Sequence, residues 1–545
     1  MESAKAIIRR MMPKGSDGNG SWRNLPYWPP DLFAVAATIA TISGCYARTR
    51  YLCGFGDCKY DEMWRNHVGQ IGREYGQGII NPELQRAWKT LQACKMPVDS
   101  SGDENEVWWD ATMLLLAASD EAAQGVGFAY AGTRVAYLVW DAYLAAKSKR
   151  DDVLPYVPHS LGVEVPPQQA CIQPKTRTPQ IGCTPRALSH NLALLPPIGE
   201  VKTHWDYAIS ETDDGGEPLN VLLVPFPYWI PGGSFKRRSI AEPPRSPRAS
   251  LFDIDQKWLE GVDADAFAAF LENLITAARK EVDSVHAVVL PEAALTDDMA
   301  TKVAKRLAAT ANIELFVSGV TAKENEHSIQ NCTYSAVYKS GEIVASWLQA
   351  KHHRWKLDDT QIRRYHLGHV LGKRNAWWEA IDVSGRECHF FVFRHGASLA
   401  VLICEDLARI DPVQNVVRAV GPNLVIAVLM DGPQLERRWP GRYATVLADD
   451  PGSAVLTLTS LGLIRRSQMP SDEGDRHVAL WKESLGTAQQ LELPRNAHAL
   501  LLTLSPSQEE NVTADGRSDG EATQRLSLTS VISVRHPNPP DWTHV

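Results

Sequence analysis

The stretch "VVLPEAALT", residues 288–296, decides how the rest of the chain is read. Val288, Val289 and Leu290 run straight into Pro291 and Glu292. A short continuous apolar run reads as a strand buried on both faces. A helix cap or a solvated strand end would explain Glu292 taken alone. A second stretch, "LAVLICEDLAR" (399–409), repeats the pattern and ends on Cys404, Glu405 and Asp406. Two buried strands that each end on a reactive side chain suggest that they hold members of one catalytic set.

Working outward, strands and helices alternate. "LNVLLVPF" (219–226) is a strand, and a helix follows at about 264–282, where Phe267, Phe270, Leu271, Leu274, Ile275, Ala278 and Val282 form one apolar stripe. "MATKVAKRLAATAN" is a helix, "IELFVSGV" a strand, and "NCTYSAVYKSGEIVASWL" a pair of strands turning at Ser340–Gly341. "CHFFVFR", "SLAVLIC", "NLVIAVLM" and "SAVLTLTS" are further strands, with helices at "DPVQNVVRAV" and at about 438–449. The pattern is α/β with buried strands. N-terminal to it, residues 28–148 carry apolar residues at helical spacing, including "PDLFAVAATIATI" and "AGTRVAYLVWDAYLAAKSKR". The expected organisation is a mainly α-helical region over 1–150, whose first 20 residues are mobile, then a Pro-rich linker or extended arm over 151–185. The α/β domain occupies 186–508, and a polar, partly disordered tail occupies 509–545.

The 545 residues leave ample chain for a large core, and 44 % hydrophobic with 22 % charged residues is ordinary for a soluble globular protein. A net charge of −8 argues against direct nucleic-acid recognition. Nine scattered cysteines do not make a disulfide framework, so a reducing cytoplasm is expected. The longest early apolar run, residues 32–44, is too short to span a bilayer. No Walker phosphate loop and no GxGxxG after a strand is present. "CGFGDC" (Cys53, Cys58) lacks a second pair at zinc spacing, and Asp449–Asp450 lacks any other polymerase signature. Neither a metal nor a cofactor is expected.

The order Glu292, Lys351 (in "LQAKHHRW") and Cys404 resembles the nitrilase, or carbon–nitrogen hydrolase, superfamily. "ICEDL" is most similar to the glutaminase domains of glutamine-dependent NAD synthetases. "NCTYSAVYKSGE" and "GRYATVLADDPGSAVLTLTSLG" resemble the family's segments before the lysine and after the nucleophile. The resemblance implies a nitrilase-like αββα four-layer sandwich, a Glu–Lys–Cys triad acting on amides or nitriles, and pairing into a homo-oligomer.

The chemistry needs these residue types. A thiolate is a good nucleophile for forming an acyl-enzyme, and a carboxylate can take the thiol proton and return it to the leaving amine. A permanently charged ammonium stabilises the oxyanion, with the Glu405 backbone N–H as a second donor. Lys351 is preferred over Lys356 for its distance to an arginine–tyrosine pair, Arg364–Tyr365, like one in the synthetase glutaminases. Family members carry a second glutamate about ten residues after the lysine. Here only Asp359 or Gln361 falls near that place. Loops at 227–250 and 352–370 are expected to line the pocket.

Two functions follow as expectations. One is an amidase-type hydrolase acting on a small-molecule amide. The other is a catalytically impaired nitrilase-like scaffold or sensor whose helical region binds a protein partner, motivated by the missing second glutamate and by the large appended region with its aromatic clusters. "RALSHNLALLPP" (186–197) loosely resembles the segment before nitrilase-like modules of bacterial defence-associated reverse transcriptases, which would place such a scaffold in antiviral defence.

Overall fold

The computed structural model describes residues 2–13, 21–48, 58–98, 106–126, 156–157, 159–207, 216–238, 249–325, 328–372, 376–394, 397–468 and 474–543. The helix expected over 131–150, most of the basic loop 236–250 and Cys53 lie outside them.

The strands expected to be buried are buried throughout: every residue of Ala397–Ile403, Leu424–Leu429 and Ala454–Thr459 is shielded from solvent. These three run parallel at the centre of an eight-stranded sheet. Its order is Tyr156–Val157, Lys202–Tyr207, Glu387–Arg394, Ala397–Ile403, Leu424–Leu429, Ala454–Thr459, His477–Lys482, Gln489–Glu492. A seven-stranded sheet follows the order Glu342–Ala350, Ser328–Lys339, Leu315–Asn325, Ala287–Thr296, Leu219–Leu223, Ala499–Glu509, Thr523–Val534. The two sheets pack face to face, with Ala287–Thr296 against Leu424–Leu429 and Ala454–Thr459.

Helices cover the outer faces. Ala264–Ala278 starts on an Asp263 side-chain cap and buries Phe267, Phe270, Leu271, Leu274 and Ile275. Each such side chain contributes about 1.5–3 kcal/mol relative to exposure. It pairs with Asp297–Thr310 on the seven-stranded sheet, while Trp439–Asp449 lies on the eight-stranded one. The architecture is therefore α/β, with two sheets between helical layers.

The helix Asn415–Val420 buries Val416, Val417 and Val420, with Val413 just before it. Apolar residues around most of its circumference require cover on two sides, and the second cover comes from the same chain. The arm Cys171–Pro174 pairs with Leu192–Leu195, which packs on this helix. Thr176 N–H donates to the Val420 carbonyl at 2.9 Å and the Arg186 guanidinium to the Arg418 carbonyl at 3.0 Å. Arg186 and Arg418 also grip Asp450, which gives that carboxylate a structural role. The Pro-rich segment is thus an arm packed into the body, and the helix carries no separate argument for a second subunit.

The helical region rests on that arm. Pro29–Ser43 packs on both arm strands, and Asp31 accepts the backbone N–H groups of Val163, Glu164 and Val165. Two expectations are corrected. Residues 4–11 form a helix that buries Ile7, Ile8 and Met11, so this part of the N-terminal stretch is anchored. The C-terminal residues are not a loose tail, because Thr523–Val534 is a full strand paired with Ala499–Glu509. The turn before it carries Arg517, buried between Asp120, Glu121 and Asp515 at 2.7–3.2 Å. A buried guanidinium with three carboxylate partners ties the helix Glu106–Ala122 to the sandwich. Composition shows only that such a segment is polar, and here its polar groups are partnered inside.

No helix among the described residues is long and apolar enough to cross a membrane.

Candidate active site

Glu292 stands inside Ala287–Thr296, where the register with the neighbouring strand slips between Leu290 and Leu295. Ala293 takes a left-handed φ of 53°, which turns the chain and fixes where the glutamate points. The slip is accommodated by Gly319 on the next strand. A Cβ there would lie 2.3 Å from Glu292 Cα and 2.4 Å from the Pro291 carbonyl oxygen. Gly319→Ala should therefore displace Glu292, destabilising the protein by about 1–3 kcal/mol and lowering any turnover at least as clearly; paired urea melts and rate measurements check this.

Lys351 directly follows Glu342–Ala350, and its ammonium is fully buried. It donates to Glu292 Oε1 at 2.7 Å and to Glu379 Oε2 at 2.8 Å. The Asn331 amide bridges the same two carboxylates, reaching Glu292 Oε1 at 2.8 Å and Glu379 Oε1 at 2.7 Å. The Trp355 N–H adds a third bond to Glu379. Two carboxylates, one ammonium and one amide form a closed ring, so each group is held at two or more points.

Glu379, not Asp359 or Gln361, is the second carboxylate that contacts Lys351. Those two belong to a short helix, Asp359–Arg364, that projects outward. Asp359 pairs with Arg363, and Gln361 closes a capping box with Asp358. Arg364 is exposed on the same helix. The helix is inserted between Lys351 and the strand Ala376–Glu379, so the acid comes 28 residues after the lysine.

Cys404 follows the strand Ala397–Ile403 at the start of a short 3-10 turn, Cys404–Ala408. Its φ of +44° is a left-handed conformation that non-glycine residues rarely adopt, and such strain is characteristic of functional positions. The residue is 2 % exposed. Burial pushes its thiol well above the ordinary range, and the Glu292 carboxylate adds to that while Lys351 opposes it. Glu292, Lys351 and Cys404 thus lie close enough to act on one another's charge. Burial also raises Glu292, against the pull of Lys351. For Lys351, burial favours the neutral amine, but Glu292 and Glu379 outweigh it and hold the ammonium charged.

Glu292 divides its two oxygens between two tasks. Oε1 takes both bonds from Lys351 and Asn331, while Oε2 is buried with no hydrogen-bond partner among the described residues. A buried acceptor without a partner costs about 1–3 kcal/mol.

The remaining predicted residues support the site at a distance. The Glu405 side chain pairs with Arg409. Tyr365 is fully buried and donates to Asp431 Oδ1 at 2.9 Å, where Arg438 also binds at 2.7 Å. Lys356 stands over the Trp378 ring, outside the ring of Glu292, Lys351 and Glu379. Two acids were not foreseen. Asp406 accepts the His352 N–H and bonds the His353 ring at 2.9 Å, locking the lysine segment to the cysteine turn. Asp431 ends the buried strand "NLVIAVLM", the same sequence signal that exposed Glu292, and its charge acts on Cys404. A cleft of about 450 Å³ lined by Trp229, His366, Arg465, Arg466 and Arg476 does not include Glu292, Lys351, Glu379 or Cys404 in its lining.

No protein-family profile and no curated protein matches the chain. Solved structures do resemble it. An amidase from Nesterenkonia sp. is 13 % identical over 53 % of this chain and 90 % of its own, with a TM-score of 0.32. The glutamine-dependent NAD+ synthetase of Acinetobacter baumannii is 13 % identical over 58 % of this chain, with a TM-score of 0.34; the match spans 48 % of that enzyme. A Saccharomyces cerevisiae protein of branch 10 of the nitrilase superfamily is 12 % identical over 59 % and 91 %, with a TM-score of 0.30. The likeness is one of fold.

Proposed function

We propose that the chain is a thiol-dependent amidase-type hydrolase that cleaves C–N bonds through an acyl-enzyme on Cys404. The observation that carries this reading is that the buried Glu292–Lys351 pair acts on the charge of a buried cysteine held at a left-handed φ. As the substrate carbonyl approaches, Glu292 takes the thiol proton and Sγ attacks the carbonyl carbon. The negative charge moves to the carbonyl oxygen, facing the Lys351 ammonium and the Glu405 backbone N–H. Glu292 then protonates the leaving nitrogen, the C–N bond breaks and ammonia or an amine departs. Water, deprotonated by Glu292, hydrolyses the thioester and restores the thiol.

The reading as a catalytically impaired scaffold rests on the absence of a second glutamate soon after the lysine and on the large appended region with aromatic clusters; the bond from Lys351 to Glu379 weighs against the first of these motives only. Glu379 shares Lys351 with Glu292, which keeps the ammonium charged in a buried site. Homo-oligomerisation remains a proposal that follows from the family resemblance, and light scattering on the purified protein addresses it.

The functional test is ammonia release from a panel of small aliphatic, aromatic and amino-acid amides. The expected outcome is a signal with at least one class that disappears in Cys404→Ala. Equal release by wild type and Cys404→Ala across the panel would overturn the assignment.

A further inference from the structure

The cleft of about 450 Å³ has a volume within the range of small-molecule sites. Trp229, Arg465, Arg466, Asp475, Arg476 and Arg495 converge on it. The sequence brings them from separate places. Arg465 and Arg466 end the short helix Leu461–Arg466, Arg476 directly precedes the strand His477–Lys482, and Arg495 lies in the turn before Ala499–Glu509. Among the described residues, Asp475 is the one acid in the lining. Its carboxylate is already engaged by the ring and the backbone N–H of His477.

We propose that this cleft binds a small organic anion, a carboxylate or phosphate group carried on an apolar body. The guanidinium is a planar fork that matches either group bidentately. Trp229 is 58 % exposed and offers an indole face to the apolar part of the ligand.

The competing explanation is that the arginines are tethers. Arg466 donates from Nη1 to the Ile230 carbonyl at 3.1 Å and from Nη2 to the Tyr365 carbonyl at 2.8 Å. Arg476 donates from Nε to the Leu493 carbonyl at 2.7 Å, and Arg465 from Nη1 to the Tyr228 carbonyl at 3.1 Å. These carbonyls satisfy N–H groups and fix where each guanidinium stands, but they do not neutralise a charge. Neither Arg466 nor Arg476 pairs with a carboxylate among the described residues. A tether explains each arginine singly. It does not explain why four cations gather around one cavity, where they repel one another. Burial pushes Arg465, Arg466 and Arg476 below the ordinary guanidinium range. For Arg476 the charges of Arg465 and Arg495 add to this, against a smaller pull from Glu492. A bound anion would relieve both effects. Because the carbonyls hold the forks in place beforehand, binding it costs little side-chain ordering.

The cleft is distinct from the ring around Lys351, none of whose members lines it. The two are connected through Tyr365. Arg466 holds its carbonyl, its hydroxyl donates to Asp431, and the charge of Asp431 acts on Cys404. The proposal does not rest on the hydrolase reading, because anion binding can be measured whatever Cys404 does.

The test is calorimetric titration of the full chain with benzoate, with phenyl phosphate and with the neutral benzyl alcohol. At least one of the two anions should bind saturably below millimolar, one per chain, and the tighter of them tells carboxylate from phosphate. Benzyl alcohol should bind at least tenfold more weakly, and raising the salt should weaken the anion. Arg466→Gln and Arg476→Gln should each lower its affinity by about tenfold or more, as expected when a charge-assisted hydrogen bond is lost. Arg495→Gln should lower it about threefold. The Arg495 side chain is exposed, so its variant carries the test if the other two fail to fold, as judged by circular dichroism. No saturable binding of either anion below millimolar, equal binding of benzyl alcohol, or unchanged affinity in the folded arginine variants would overturn the proposal.

Discussion

Lys351→Met should destabilise the protein by about 3–5 kcal/mol, the cost of leaving a buried partner uncompensated. The lysine is enclosed, and its two carboxylate partners are 1 % and 2 % exposed. Methionine fills similar volume but leaves two negative charges facing each other without solvent. One or both must then take up a proton, adding to the upward push that burial already exerts on Glu292. The sign of the pH dependence follows. A carboxyl whose folded pKa is raised holds a proton that the unfolded chain, near its ordinary 4.5, has released. The variant's stability is therefore greatest below about pH 4.5 and is lost as pH rises through the folded values. Urea midpoints for wild type and variant between pH 5 and 8 should diverge as pH increases. Parallel midpoints would mean that the ring does not hold the charges described.

Glu292→Gln should behave in the opposite way, with little change in stability and a turnover loss of about 10²–10⁴-fold. Lys351 and Asn331 both donate to Oε1, so the amide oxygen of the glutamine must take that position. Its NH2 then occupies the place of Oε2 and supplies donors where the proposed mechanism needs a base. Glu379 continues to balance the lysine, so the fold survives. Steady-state rates beside a thermal melt distinguish the two variants: one loses the fold, the other only the chemistry.

The sequence discloses a residue when its local pattern conflicts with its surroundings. Glu292 and Cys404 end apolar runs, and packing gives no reason for either. The central strands and the helix Ala264–Ala278 were legible because burial imposes a period of two or 3.6 residues on long segments. Glu379 was not, since its strand has four residues, two of them tryptophans, which read as core. The insertion of Asp359–Arg364 also breaks the expected spacing from the lysine. Arg517 was hidden for a different reason. Its partners Asp120 and Glu121 are nearly four hundred positions away, and composition scores a charge as solvated whether or not a distant carboxylate awaits it. The anchored N-terminal helix follows the same logic, packing on Pro29–Ser43 and Pro82–Ala93, whereas the strand Thr523–Val534 pairs with the strand just before it, Ala499–Glu509.

The measurement that bears most directly on the central claim is the intact mass of the protein, acid-quenched during incubation with the amide panel and followed by peptide mapping. The account predicts a mass gain equal to the acyl group of a turned-over amide, confined to the peptide bearing Cys404 and absent in Cys404→Ala. An unmodified Cys404 throughout turnover, or an acyl group mapped to another residue, would contradict it.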